Sequence, residues 1–108
     1  MKKIFLFCDA GMSTSLLVSK MLEVVNKHNL DIHIEANPCI KAQALIQDQK
    51  PDCVLLGPQV RFMLGKMEDI CKPLNIPVDA IDSVAYGAMD GEKVLKSAIR
   101  MIKKSQAK

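Results

Sequence analysis

The chain has 108 residues, 49% hydrophobic and 25% charged, enough apolar material for one domain with a real core and too much for a disordered chain. Its net charge of +3 is mild, and aromatics make up only 4% with no Trp, which argues against a nucleic-acid binder and against stacking platforms for a flavin ring. The four cysteines, Cys8, Cys39, Cys53 and Cys71, form no Cys-x-x-Cys pair and have no His at metal-ligand spacing, so they read as reduced thiols of a cytoplasmic protein, with no metal or cofactor expected.

Met1-Lys2-Lys3 leads into the apolar run Ile4-Phe5-Leu6-Phe7, which breaks at Cys8-Asp9. That run is too short for a signal sequence or a membrane span and suits a strand covered on both faces. From Ser13 the period changes: Leu17, Met21, Val24, Val25 and His28 share one helical face, opposite Lys20, Glu23 and Lys27, with Ser13 or Thr14 as the cap. Ile32, Ile34 and Ala36 then alternate with Asp31, His33 and Glu35, which predicts an edge strand ended by Pro38. A short helix is expected from about Ile40 to Gln49, stopped by Lys50-Pro51.

Cys53-Val54-Leu55-Leu56 is a second continuous apolar run, closed by Gly57-Pro58, and reads as a central strand. The spacing of Val60, Met63, Leu64, Met67, Ile70 and Cys71 predicts one helix face. A last short strand fits between Pro77 and Ile81, and residues Asp82 to Asp90 read as a loop. Within it Asp82 is expected to be a turn residue, and Asp90 caps the final helix, Gly91 to Lys104. That helix buries Val94, Leu95, Ala98, Met101 and Ile102, while Lys93, Lys96, Arg100, Lys103 and Lys104 form a solvated outer face. Strands alternating with helices predict a single α/β domain over residues 1–108, an open parallel four-stranded sheet of order 2-1-3-4 with helices on both faces. The ligand crevice of such a sheet lies at the carboxyl ends of strands one and three.

Cys8 ends the first strand at that crevice, and Gly11, Ser13, Thr14 and Ser15 lead from it into a helix. The first turn of a helix offers N–H groups without intrahelical acceptors and the positive end of the macrodipole, which stabilise a thiolate and a phosphoryl group alike. Gly11 lets the backbone turn its N–H groups inward, and the hydroxyls of Ser13, Thr14 and Ser15 can add donors, although capping serves Ser13 and Thr14 equally well. Cys53 and Cys71 fit the ordinary role of a small buried apolar residue, and Cys39 is a loop thiol near a helix start. Cys8 is therefore read as a nucleophile that accepts and passes on phosphate. The spacing is similar to the Cys-x5-Arg loop of low-molecular-weight tyrosine phosphatases, which have a related flavodoxin-like fold, but Thr14 stands where the Arg would be. A hydrolase lacks its guanidinium fork here. A cysteine-dependent phosphatase or arsenate-reductase-like enzyme remains the alternative reading.

Taken together, Phe7 to Val18, Val54-Leu55-Leu56-Gly57-Pro58-Gln59-Val60 and Ile81-Asp82-Ser83-Val84-Ala85-Tyr86-Gly87 resemble the IIB component of the phosphoenolpyruvate-dependent sugar phosphotransferase system, in the lactose/cellobiose (N,N'-diacetylchitobiose) family. The resemblance implies a relay: a IIA phosphohistidine donates to Cys8, and the phosphocysteine is attacked by a sugar hydroxyl held in the membrane component IIC. It further implies that Ala10, Gly11, Met12, Ser13, Thr14 and Ser15 cradle the phosphate and that Pro58, Gln59 and Tyr86 line the same crevice. No nucleic acid and no direct membrane insertion enter this scheme. Asp9 departs from the family's pattern, which has a small residue such as Ser there.

Overall fold

The computed structural model describes residues 1–9 and 12–106. Its sheet is parallel, in the order β2-β1-β3-β4, built from β1 (Lys2–Cys8), β2 (Ile32–Pro38), β3 (Cys53–Leu56) and β4 (Val78–Ala80). The two continuous apolar runs take the central places because only there are both faces covered; Ile4 to Phe7 and Val54 to Leu56 are all buried. The alternating strand β2 lies at one edge, as its half-polar pattern demands, and the short β4 at the other.

Among the described residues, five α-helices connect and cover the strands: α1 (Met12–Lys27), α2 (Ala42–Gln49), α3 (Leu64–Cys71), α4 (Ser83–Gly87) and α5 (Gly91–Gln106). Successive residues of β1 feed opposite layers, as the two-residue period of a strand requires. Ile4 and Leu6 pack with Leu17 and Met21 of α1 and Val94, Leu95 and Ala98 of α5. Phe5 and Phe7 pack with Ile46 of α2 and Met67 and Cys71 of α3, their rings edge to face at 6.2 Å. Helices α1 and α5 approach so closely that a Cβ at Gly91 would fall 2.6 Å from the Lys20 carbonyl carbon, so only glycine fits there.

Three local expectations are corrected. The helix face from Val60 to Cys71 is not one helix: a tight 3-10 segment, Pro58–Met63, precedes α3, and Val60 has non-helical angles (φ −121°, ψ 19°). The apolar spacing holds, since Val60, Met67 and Cys71 are all buried, but the chain must turn after Gly57-Pro58 before it can run back along the sheet. The span from Asp82 to Asp90 is not all loop, because Asp82 caps α4, its Oδ2 accepting from the Ala85 amide at 2.9 Å. His28, expected on the core face, is exposed, because α1 ends at Lys27 and Asn29 takes up a left-handed conformation (φ 52°). Among the described residues no helix is long and apolar enough to cross a membrane.

Candidate functional site

The carboxyl ends of β1 and β3 meet around Cys8. Cys8 is the last residue of β1, opposite Pro38 of β2, and only 3% exposed. The amide of Gly57, directly after β3, donates to the Phe7 carbonyl at 2.9 Å. A Cβ on Gly57 would stand 3.4 Å from the Cβ of Cys8 and 3.1 Å from Oε1 of Gln59. Glycine therefore lets the loop after β3 close against the thiol and brings Gln59 beside it. Pro58 is half-buried and Gln59 exposed.

On the other flank, Cys39 follows Pro38, the register partner of Cys8. Burial pushes the Cys39 thiol up, with smaller contributions from Cys8 and Asp9, which marks both as its near neighbours. Asp9 is exposed. The remaining cysteines are removed from this chemistry. Burial, aided by Asp52, Asp79 and Cys71, pushes Cys53 up to about 12, and burial alone pushes Cys71 up to about 11, so both stay protonated and inert. No cysteine is disulfide-bonded.

Of the expected phosphate cradle, Ala10 and Gly11 lie outside the described residues, as do the side chains of Met12 and Ser13, whose backbone opens α1. Ser15 is exposed on the first turn. Thr14 is fully buried, and its Oγ1 lies 3.1 Å from the hydroxyl of Tyr86, which is itself buried on α4. Thr14 and Tyr86, read from sequence as a cap or ligand and as a crevice residue, are thus joined to each other beneath the first turn of α1. Among the described residues, no three His, Cys, Asp or Glu side chains are grouped to hold a metal ion.

Sequence reasoning missed the exposed apolar side chains at this end of the sheet. Leu16 is half exposed, Ile40 92%, Phe62 78% and Val84 73%, one from each of the four connections that leave the carboxyl ends of the strands. Leu16 and Phe62 fall off the faces read as buried and Val84 lies in the span read as a loop, and nothing in their local spacing joins the four into one surface. A groove of about 790 Å³, by contrast, lies away from Cys8, lined by residues such as Lys72, Ile76, Val78 and Met101.

The model of the family described as "PTS system, Lactose/Cellobiose specific IIB subunit" matches residues 3–97. The oligo-beta-mannoside-specific EIIB component of the PTS system of Bacillus subtilis is 40% identical over 102 residues, which cover 94% of this chain and 97% of the relative. The galactose-specific EIIB component of Lactococcus lactis subsp. cremoris is 42% identical over 100 residues, covering 90% of this chain and 93% of the relative. The solution structure of a cellobiose-specific phosphotransferase IIB component from Borrelia burgdorferi superposes with a TM-score of 0.79 at 38% identity, over 96% of this chain and 94% of that one. With a thiol at the carboxyl end of the central strand, a glycine-closed neighbouring loop and relatives matched over nearly their whole length, the chain belongs to the lactose/cellobiose-specific IIB family and is a IIB component of a sugar phosphotransferase system.

Proposed function

We propose that Cys8 is the phosphoryl carrier of this component. Its Sγ attacks the phosphorus of a IIA phosphohistidine in line, the P–N bond breaks, and the imidazole leaves as the neutral ring after taking up a proton. A sugar hydroxyl held by IIC then attacks the phosphorus, its proton passing to a base or to water, and the S–P bond breaks to return the thiolate. One observation carries the reading: Cys8 ends the central strand just before the N-terminus of the long helix α1, where backbone amides and the helix dipole favour a phosphoryl group. The segment from Ala10 to Ser15 supplies those amides, and Pro58 and Gln59 close the other side. No Arg stands between Asp9 and Ser15 to stabilise the transition state of hydrolysis, which favours a carrier over a phosphatase.

The four exposed apolar side chains support docking of a protein donor. A thiol only 3% exposed receives phosphate from another protein only if that protein's surface lies flat on the surrounding loops. Ile40 and Phe62 are flanked by the exposed cations Lys41 and Arg61, which suits a IIA face with an apolar centre and an acidic rim. One domain over residues 1–108, working in the cytoplasm and reaching the membrane through IIC, completes the reading. The sugar is a β-linked disaccharide such as cellobiose or diacetylchitobiose. Relatives of nearly equal identity carry the names of an oligo-β-mannoside and of galactose, consistent with selection mainly in IIC. The test is transfer of label from phosphoenolpyruvate, through the general phosphotransferase proteins and a matched IIA, to this chain. Acid-stable label on a residue other than Cys8, or undiminished labelling of Cys8→Ala, would defeat the proposal.

A further inference from the structure

Thr14 is the one polar residue counted in the core among the described residues, and it faces Tyr86 across 72 positions of sequence. Tyr86 belongs to the apolar cluster that also holds Leu17, Met21, Val94 and Leu95. An apolar pair of similar size would fill this space without the cost of desolvating two hydroxyls. What a hydrogen bond adds over such a pair is direction: it holds one helix at a set distance and rotation from another.

The bond joins two elements at the carboxyl end of the sheet. Thr14 lies in the first turn of α1, immediately after the loop that follows Cys8. Tyr86 lies on α4, which is itself fixed: Asp82 caps it with Oδ2, and the Ile81 amide just ahead of it donates to the Leu56 carbonyl at the end of β3 at 2.8 Å. The end of β3 is tied in turn to β1, since the Gly57 amide donates to Phe7 at 2.9 Å. A closed circuit therefore runs from β1 through β3, α4 and Tyr86 to Thr14 on α1, and returns to Cys8 through the loop.

We infer that Tyr86 is a positioning residue for phosphoryl transfer: through Thr14 it sets where the amides of the first turn of α1 stand relative to the sulfur of Cys8. The inference rests on the assignment of Cys8 as the phosphoryl carrier. Tyr86 is buried and its hydroxyl is spent on Thr14, so its loss acts on the chemical step and not on docking.

Four variants, Tyr86→Phe, Thr14→Val, their combination and Thr14→Ser, would be compared with the unsubstituted chain in transfer from phosphorylated IIA. Loss of the bond is expected to lower kcat about tenfold, the equivalent of one ordinary hydrogen bond, with KM for IIA within about twofold. The double variant should be no slower than the worse single one, and Thr14→Ser, which keeps the hydroxyl, should restore most of the rate. A kcat for Tyr86→Phe equal to that of the unsubstituted chain overturns the inference, as does a loss that Thr14→Ser does not recover or that appears in KM. Thermal melts show which variants are folded; should Tyr86→Phe fail to fold, Thr14→Val against Thr14→Ser decides by the same kcat criterion. Failure of the unsubstituted chain to take label on Cys8 would instead defeat the carrier assignment, and the inference with it.

Discussion

Each end of the sheet holds a buried cysteine, and the two ends give it opposite surroundings. Cys8 stands at the carboxyl end of β1, where the chain enters the N-terminus of α1; Cys53 stands at the amino end of β3, in register with Ile4 and between the carboxylates of Asp52 and Asp79. In a parallel sheet with helical crossovers, every strand's carboxyl end meets a helix N-terminus and every amino end a helix C-terminus, so the backbone itself makes one end favourable to anions and the other unfavourable. Cys53 is held protonated up to about 12, chiefly by its burial and then by Asp52, Asp79 and Cys71. The ends also differ in shape. The groove of about 790 Å³ lies against the amino end of β4, whereas the segments that follow the strands' carboxyl ends expose Ile40, Phe62 and Val84. On the proposed function the substrate is a phosphorylated side chain on another protein, for which concavity is a poor guide.

The sharpest way to break this comparison is Cys8→Ala, which should reduce transfer by about a thousandfold or more, while Cys53→Ala leaves the rate of transfer from IIA within about twofold. Equal losses in both would mean that the two ends are not chemically distinct. Next in size is the response to alkali. The thiols of Cys53 and Cys71 stay protonated in the fold to about 12 and about 11, against the ordinary value of 9.0 in the unfolded chain. Between those values the folded chain binds more protons than the unfolded one, so stability is fully present below pH 9 and falls as pH rises through the window, by a loss on the order of a few kcal/mol. Urea unfolding at pH 8 and pH 10.5 should show the loss, reduced in Cys53→Ala relative to its own pH 8 value.

A smaller effect is expected from the rim. Ile40→Asp and Phe62→Asp should each raise KM for phosphorylated IIA about tenfold and leave thermal stability nearly unchanged, because both side chains are exposed in the isolated chain. Removing the exposed carboxylate in Asp9→Ser should speed transfer of the dianion about twofold, more at low salt than at high. Smallest of all, Lys72→Glu in the amino-end groove should alter neither transfer nor, beyond about 0.5 kcal/mol, stability. A marked loss of transfer there would restore the groove as a functional surface.

Much of this arrangement is legible in local pattern. The runs Ile4 to Phe7 and Cys53 to Leu56 announce strands buried on both faces, and the half-polar Ile32 to Ala36 announces an edge; with right-handed crossovers, that is enough to give the order 2-1-3-4. The same order brings Gly57 against Cys8, as the Cβ clearance of 3.4 Å reflects. The helix α4 was hidden because five residues are too few for a periodic signal, and its mark was the capping Asp82. The apolar spacing from Val60 to Cys71 marks a buried face but not its division into two elements, since periodicity reports which side is covered and not where the backbone turns.

What the sequence alone determined was the alternation of elements and the position of one cysteine between a strand and a helix, because both follow from residue spacing within a few turns of chain. Only the tertiary structure decided that Thr14 turns inward to Tyr86, 72 residues away, while Ile40, Phe62 and Val84 turn outward. A side chain's environment is set by elements distant in sequence, which residue spacing within a few turns of chain does not report.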